Sequence, residues 1–139
     1  MKHKTGIVIT CSLFLIVFLP GFAHAQSNEI IDRLLEQDTA SYDAALYMVR
    51  TAAGETAEPP VLSDNRRPIS LGEYSHLLIE ALDIPSGIMY RLFPGPRYAA
   101  REIAFYGFIR GSALPGRFIS GSEVINILRR AMEWKEESV

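Results

Sequence analysis

The strongest constraint on this chain is that part of it is written twice. At an offset of 50, Arg67-Pro-Ile-Ser-Leu-Gly-Glu-Tyr lies over Arg117-Phe-Ile-Ser-Gly-Ser-Glu-Val. Identities fall at Arg67/Arg117, Ile69/Ile119, Ser70/Ser120, Glu73/Glu123, Leu78/Leu128 and Ala81/Ala131, six in eighteen positions. Apolar character also matches at Tyr74/Val124, Leu77/Ile127, Leu82/Met132 and Ile84/Trp134. These positions recur at helical spacing, so each copy presents one apolar stripe. A repeated supersecondary unit can bury such a stripe only by stacking on a neighbour. Each unit reads as helix, loop, helix, over about residues 40–84 and 97–135.

The shared Ser-x-x-Glu has a direct physical meaning. Ser70 and Ser120 stand where a helix N-cap accepts from the amide three residues on. Glu73 and Glu123 reach back toward the cap residue's own amide, with Ile69 and Ile119 placed as staples. This box explains the spacing of the four residues with no ligand.

Elsewhere the pattern is also helical. Asn28–Gln37 carries Ile30, Ile31, Leu34 and Leu35 on one stripe, and Ser41–Ala53 runs to a stop at Gly54. Pro59-Pro60 and Asp64-Asn65 mark a long loop over 55–68. Helices are expected again at Leu71–Leu82, Ile88–Phe93, Tyr98–Ile109 and Gly121–Lys135, with turns at Pro85 and at Pro94-Gly95-Pro96. Nothing sustains the alternation of a strand. The expected fold is all-α: a small helical bundle of two helix–loop–helix repeats plus an N-terminal helix.

The N-terminus is a different polymer. Lys2 and Lys4 precede an apolar run from Ile7 to Leu19, and Ala23-His24-Ala25 follows. A positive stretch, a short apolar core and a small-x-small site describe a signal peptide over residues 1–25. The run is 13 residues long, against the roughly 20 that span a bilayer. Cleavage after Ala25 leaves a domain of residues 26–139 with a net charge of −4, no cysteine and one histidine, His76. Disulfides, thiol nucleophiles and thiolate metal sites are thereby excluded from it. No metal or cofactor is expected, and no membrane-spanning segment in the processed chain. The expected location is the periplasm or the cell envelope.

Gly107-Phe108-Ile109-Arg110-Gly111, Phe118, and the box Ile119-Ser120-Gly121-Ser122-Glu123 with its helix Val124–Trp134 resemble a repeat of the S-layer homology (SLH) family. The earlier unit keeps Ile69-Ser70-Leu71-Gly72-Glu73. The resemblance implies packed helix–loop–helix units, a glycine pair (Gly107, Gly111) closing the first helix and an aromatic, Phe118, in the loop. It also implies a wall-glycan ligand. The family's box arginine falls at Leu71 and Gly121 and is absent, so the resemblance bears on architecture more than on glycan binding.

Charge is divided along the chain. Residues 26–65 carry a net −6, and residues 91–130 a net +5 made of arginine. Arginine offers a planar fork for carboxylate or phosphate, which makes Arg97, Arg101, Arg110 and Arg117 the candidate ligand-binding set. The competing reading is that the acidic half neutralises them. Nucleic acid is not expected of a net-acidic chain without a recognition motif. His76 reads as structural, and Glu73 with Glu80 as two turns of one helix face rather than a glycosidase pair. Met89, Tyr90, Phe93, Tyr98, Phe105, Tyr106 and Phe108 form a dense aromatic region. The expected protein is a non-catalytic cell-envelope binding module with peptidoglycan or anionic wall glycan as partner. The alternative is a small periplasmic domain docking an envelope protein through that aromatic region. The oligomeric state is left open.

Overall fold

The structure is a computed structural model and describes residues 21–61 and 66–138. The positive and apolar stretches of the expected leader, residues 2–19, lie outside the described residues. Among the described residues six helices follow one another: α1 (Gly21–Leu35), α2 (Tyr42–Ala52), α3 (Leu71–Leu82), α4 (Ile88–Leu92), α5 (Pro96–Phe105) and α6 (Gly121–Glu137). The chain is all-α, with no sheet among the described residues.

The helix starts follow from local chemistry. Ser70 accepts from the Glu73 amide while Glu73 accepts from the Ser70 amide, so the capping box of α3 is complete. Pro96 opens α5 from its first turn, where a missing N–H costs nothing. The expected Tyr98–Ile109 helix therefore begins two residues earlier, and it also stops earlier. Gly107 adopts φ +75°, its amide bonds Ala104 O and the Phe108 amide bonds Ile103 O, each at 3.0 Å. That paired closure needs a left-handed residue, which glycine supplies without steric cost. Helix α2 ends the same way at Gly54.

Helix α1 begins at Gly21, ahead of the expected Asn28. Its buried positions Ile30 and Leu34 both follow Ala25, so scission there would remove neither contact.

Helix α3 is the spine. Leu71, Tyr74, Ser75, Leu78, Ile79 and Leu82 are buried along it, and it packs against α2 and α5, while α6 packs on α1 and α2. Tyr74 is wholly enclosed and its hydroxyl donates to Val124 O at 2.9 Å. Burial pushes this phenol far above the ordinary tyrosine range.

The segments leading into α2, α3 and α6 close on one another in a ring. The Ile69 amide donates to Ala40 O at 3.0 Å, Ile119 to Ile69 O at 3.4 Å, and Ala40 to Ile119 O at 2.7 Å. A second ring runs the opposite way: Tyr42 to Arg67 O and Leu71 to Arg117 O, both 2.8 Å, and Gly121 to Gln37 O at 3.0 Å. Ala40, Ile69 and Ile119 are all buried at its centre. The array thus has three equivalent arms where the repeat shows two, and the extra one, first in chain order, is the segment joining α1 to α2. The close approach is severe at Gly121: a Cβ there would stand 1.5 Å from Leu34 O.

Candidate functional site

The repeated box comes out in two different states. Around α3, the Glu73 carboxylate accepts from Ser70 N at 3.0 Å, from Ser70 Oγ at 2.9 Å and from Arg67 at 2.7 Å. Burial pushes the Glu73 carboxyl upward, but these hydrogen bonds outweigh it and the net shift is downward. The Arg67 guanidinium also covers the Tyr42 ring at 3.9 Å, tying the second arm to the first. Around α6, Ser120 still accepts from the Glu123 amide at 3.2 Å. The Glu123 carboxylate is held foremost by Arg117 in a two-pronged pair of 2.6 and 3.0 Å. Those bonds are the main cause holding its carboxyl below the ordinary range. In the first arm Ser41 makes no side-chain cap, and Gln37 Oε1 accepts the Ser41 amide at 2.9 Å. Its Nε2 is buried without a partner among the described residues.

The positions where the family pattern would carry its box arginine are closed. Leu71 is fully buried and Gly121 is pressed on the α1 backbone. No long cationic side chain could project from either without opening the ring.

The four candidate arginines do not form one set. Arg117 is committed to Glu123, and its Nε donates to Ser112 O at 2.8 Å. The ends of the two loops do meet, since the Gly72 amide donates to Pro115 O and Leu71 to Arg117 O. Their arginines, Arg67 and Arg117, face their own glutamates rather than an open groove. Arg97, Arg101 and Arg110 are exposed, and none of their side chains enters an ion pair or hydrogen bond among the described residues. Arg97 and Arg101 stand one turn apart on α5, which places them on one face. Phe118 is exposed, and its backbone bridges Ser70, so its location follows from the ring. Gly111 adopts φ +108° in open space.

The aromatic region divides in two. Tyr106, Phe108 and Trp134 form an inner cluster with ring centroids 4.9 to 6.1 Å apart. Tyr90 is buried and its hydroxyl lies 2.6 Å from His76 Nδ1, with His76 Nε2 3.4 Å from Glu80. This pins α4 to α3 and gives His76 a structural partner. A second tie comes from Glu102, which accepts the Gly87 amide at 3.0 Å. Outside these ties, Ile88 is 73% exposed, Met89 49%, Leu92 64%, Phe93 61% and Phe105 85%. Sequence patterning named Met89, Phe93 and Phe105 within the aromatic region. It missed Ile88 and Leu92, although their i, i+4 spacing on so short a helix was visible.

A shallow cleft of about 190 Å³ lies between α2 and α3, lined by Val49, Arg50, Leu77, Glu80 and their neighbours. Arg50 faces Glu55 there at 3.7 Å, so its charges are largely matched. Comparison with family models, with curated proteins and with solved structures found no match for the chain.

Proposed function

We propose that this protein is an exported, non-catalytic interaction module of the cell envelope, and that it makes contact through its α4–α5 edge. One observation carries the reading. Four arginines without carboxylate partners among the described residues, Arg91, Arg97, Arg101 and Arg110, accompany a run of large apolar side chains left in water. Soluble surfaces seldom leave such side chains clustered unless something covers them. The aromatic docking reading is favoured over a glycan groove between the loops, because Arg67 and Arg117 are spent on Glu73 and Glu123. The same commitments argue against catalysis, since Glu73 is held by the cap it completes.

A glycan reading survives in narrower form on Arg97, Arg101 and Arg110, favoured by the shared face of the first two on α5. Cell fractionation tests the main proposal. The full chain should be retained with the envelope, and Ile88→Ser/Leu92→Ser/Phe93→Ser should release it to the soluble fraction. Retention unchanged by that variant would overturn the α4–α5 assignment. Pull-down on purified sacculi tests the narrower reading: binding lost in Arg97→Glu/Arg101→Glu/Arg110→Glu supports it, and no binding at low salt removes it.

A further inference from the structure

Within the α4–α5 edge, the side chains themselves specify the kind of surface that would cover them. From Ile84 to Arg101 the chain contains no aspartate or glutamate and three arginines. Between Ile84 and Pro96 the only polar side chains are Ser86, Tyr90 and Arg91, and Tyr90 is buried on His76. The two carboxylates that bound this segment, Asp83 and Glu102, sit at a helix terminus and on the Gly87 amide.

Geometry adds the second argument. Of residues 88–93, every one but Tyr90 is exposed. A helix buried by one residue per turn and open on its remaining sides projects from the body as a knob. Ile88 with Leu92, and Met89 with Phe93, make two adjacent apolar ridges around it. A protein partner would need a deep apolar pocket, and directional polar contacts to fix it, for which the knob offers no exposed side-chain donor besides its arginine. A bilayer needs neither: its acyl boundary accepts any apolar shape, and its phosphates accept any nearby cation. Arginine side chains reach outward along such a surface while keeping their heads at phosphate level.

We propose that the α4 knob docks this protein on an anionic lipid surface, with Ile88, Met89, Leu92 and Phe93 entering the headgroup–acyl boundary and Arg91, Arg97 and Arg101 meeting lipid phosphates. The inference rests on the proposed α4–α5 contact edge and names what it contacts. No helix among the described residues is long and apolar enough to cross a membrane, so the contact is interfacial.

A tryptophan placed at the knob tests this on the full chain. Phe93→Trp is made in the otherwise unchanged protein, whose own Trp134 reports from the inner ring cluster. With vesicles of phosphatidylcholine and phosphatidylglycerol, Phe93→Trp emission should shift to the blue and be quenched by brominated acyl chains, while the parent's Trp134 signal stays put. Adding Arg91→Glu/Arg97→Glu/Arg101→Glu should weaken binding at least roughly tenfold at low salt, as expected when several cations near a charged leaflet are reversed. Emission unmoved by anionic vesicles, or equal binding to neutral phosphatidylcholine alone, would overturn the lipid assignment. Release of Ile88→Ser/Leu92→Ser/Phe93→Ser from the envelope, with no vesicle response in Phe93→Trp, overturns the lipid assignment and leaves the contact edge standing. Envelope retention unchanged by the triple serine variant overturns both.

Discussion

Tyr74 and Val124 hold the same place in the two written repeats, and the hydroxyl of the first donates to the backbone carbonyl of the second at 2.9 Å. The two equivalent positions thus differ in role: one reaches across with its side chain, and the other receives it with its backbone.

Removing only that hydroxyl should be mild. Tyr74→Phe loses one buried hydrogen bond, worth about 0.5–1.5 kcal/mol. Tyr74→Ala opens the centre of the bundle and should cost roughly 3–5 kcal/mol, as large aromatic truncations do. Urea unfolding followed by circular dichroism measures both, and equal losses would show that the hydroxyl and not the ring holds the site.

Gly121→Ala should be far more damaging than its single methyl suggests. Its Cβ would stand 1.5 Å from Leu34 O, so α1 must move away and the Gly121–Gln37 hydrogen bond with it. A loss of roughly 2 kcal/mol or more is expected from such overpacking. Gly116→Ala, where a methyl meets nothing within 4 Å, is the control and should leave the midpoint nearly unchanged.

The caps should rank by their observed bonding. Ser70→Ala and Ser120→Ala each remove an acceptor for a helix amide, at about 1 kcal/mol. Ser41→Ala removes no cap bond and should cost less than either. Thermal melts of the three variants decide the order.

Acid should weaken the third arm in a defined window. Glu123 has its carboxyl depressed in the folded protein from an ordinary value of 4.5, chiefly by Arg117. Stability from that pair is fully present above the ordinary value and is lost as pH falls through the lower, folded-state value. Glu123→Gln should therefore lower the midpoint at pH 7 and converge with the parent as pH drops below about 4. A gap between the two that stays constant down to pH 3 would show that the charge contributes nothing.

Much of the fold was legible because it was carried by side chains. Leu71–Leu82 appears with its expected bounds, and both serine caps form as the Ser-x-x-Glu spacing requires. The first arm was not legible as an arm, because its membership is written in backbone. Ala40, Ile69 and Ile119 pair through amides and carbonyls, which leave no mark on residue type. Where its siblings have glutamate at the third helical position, the first arm has Ala44, and it recruits Gln37 from before the turn to do the glutamate's work. The candidate arginines were legible as charges but not as neighbours: Arg117 looks no different from Arg97 until Glu123 is placed beside it.

The closed ring also sets when this protein can exist. Ala40 finds its acceptor at Ile119, so the earliest arm has no completed partner set until nearly the whole chain is present. Long-range closure of this kind delays folding relative to local helix formation. Without the residues around Ile119 neither ring of hydrogen bonds can close. An array that instead grew unit upon unit would begin to set as soon as its first neighbouring units were made. Here the last segment to arrive is the one that locks the first.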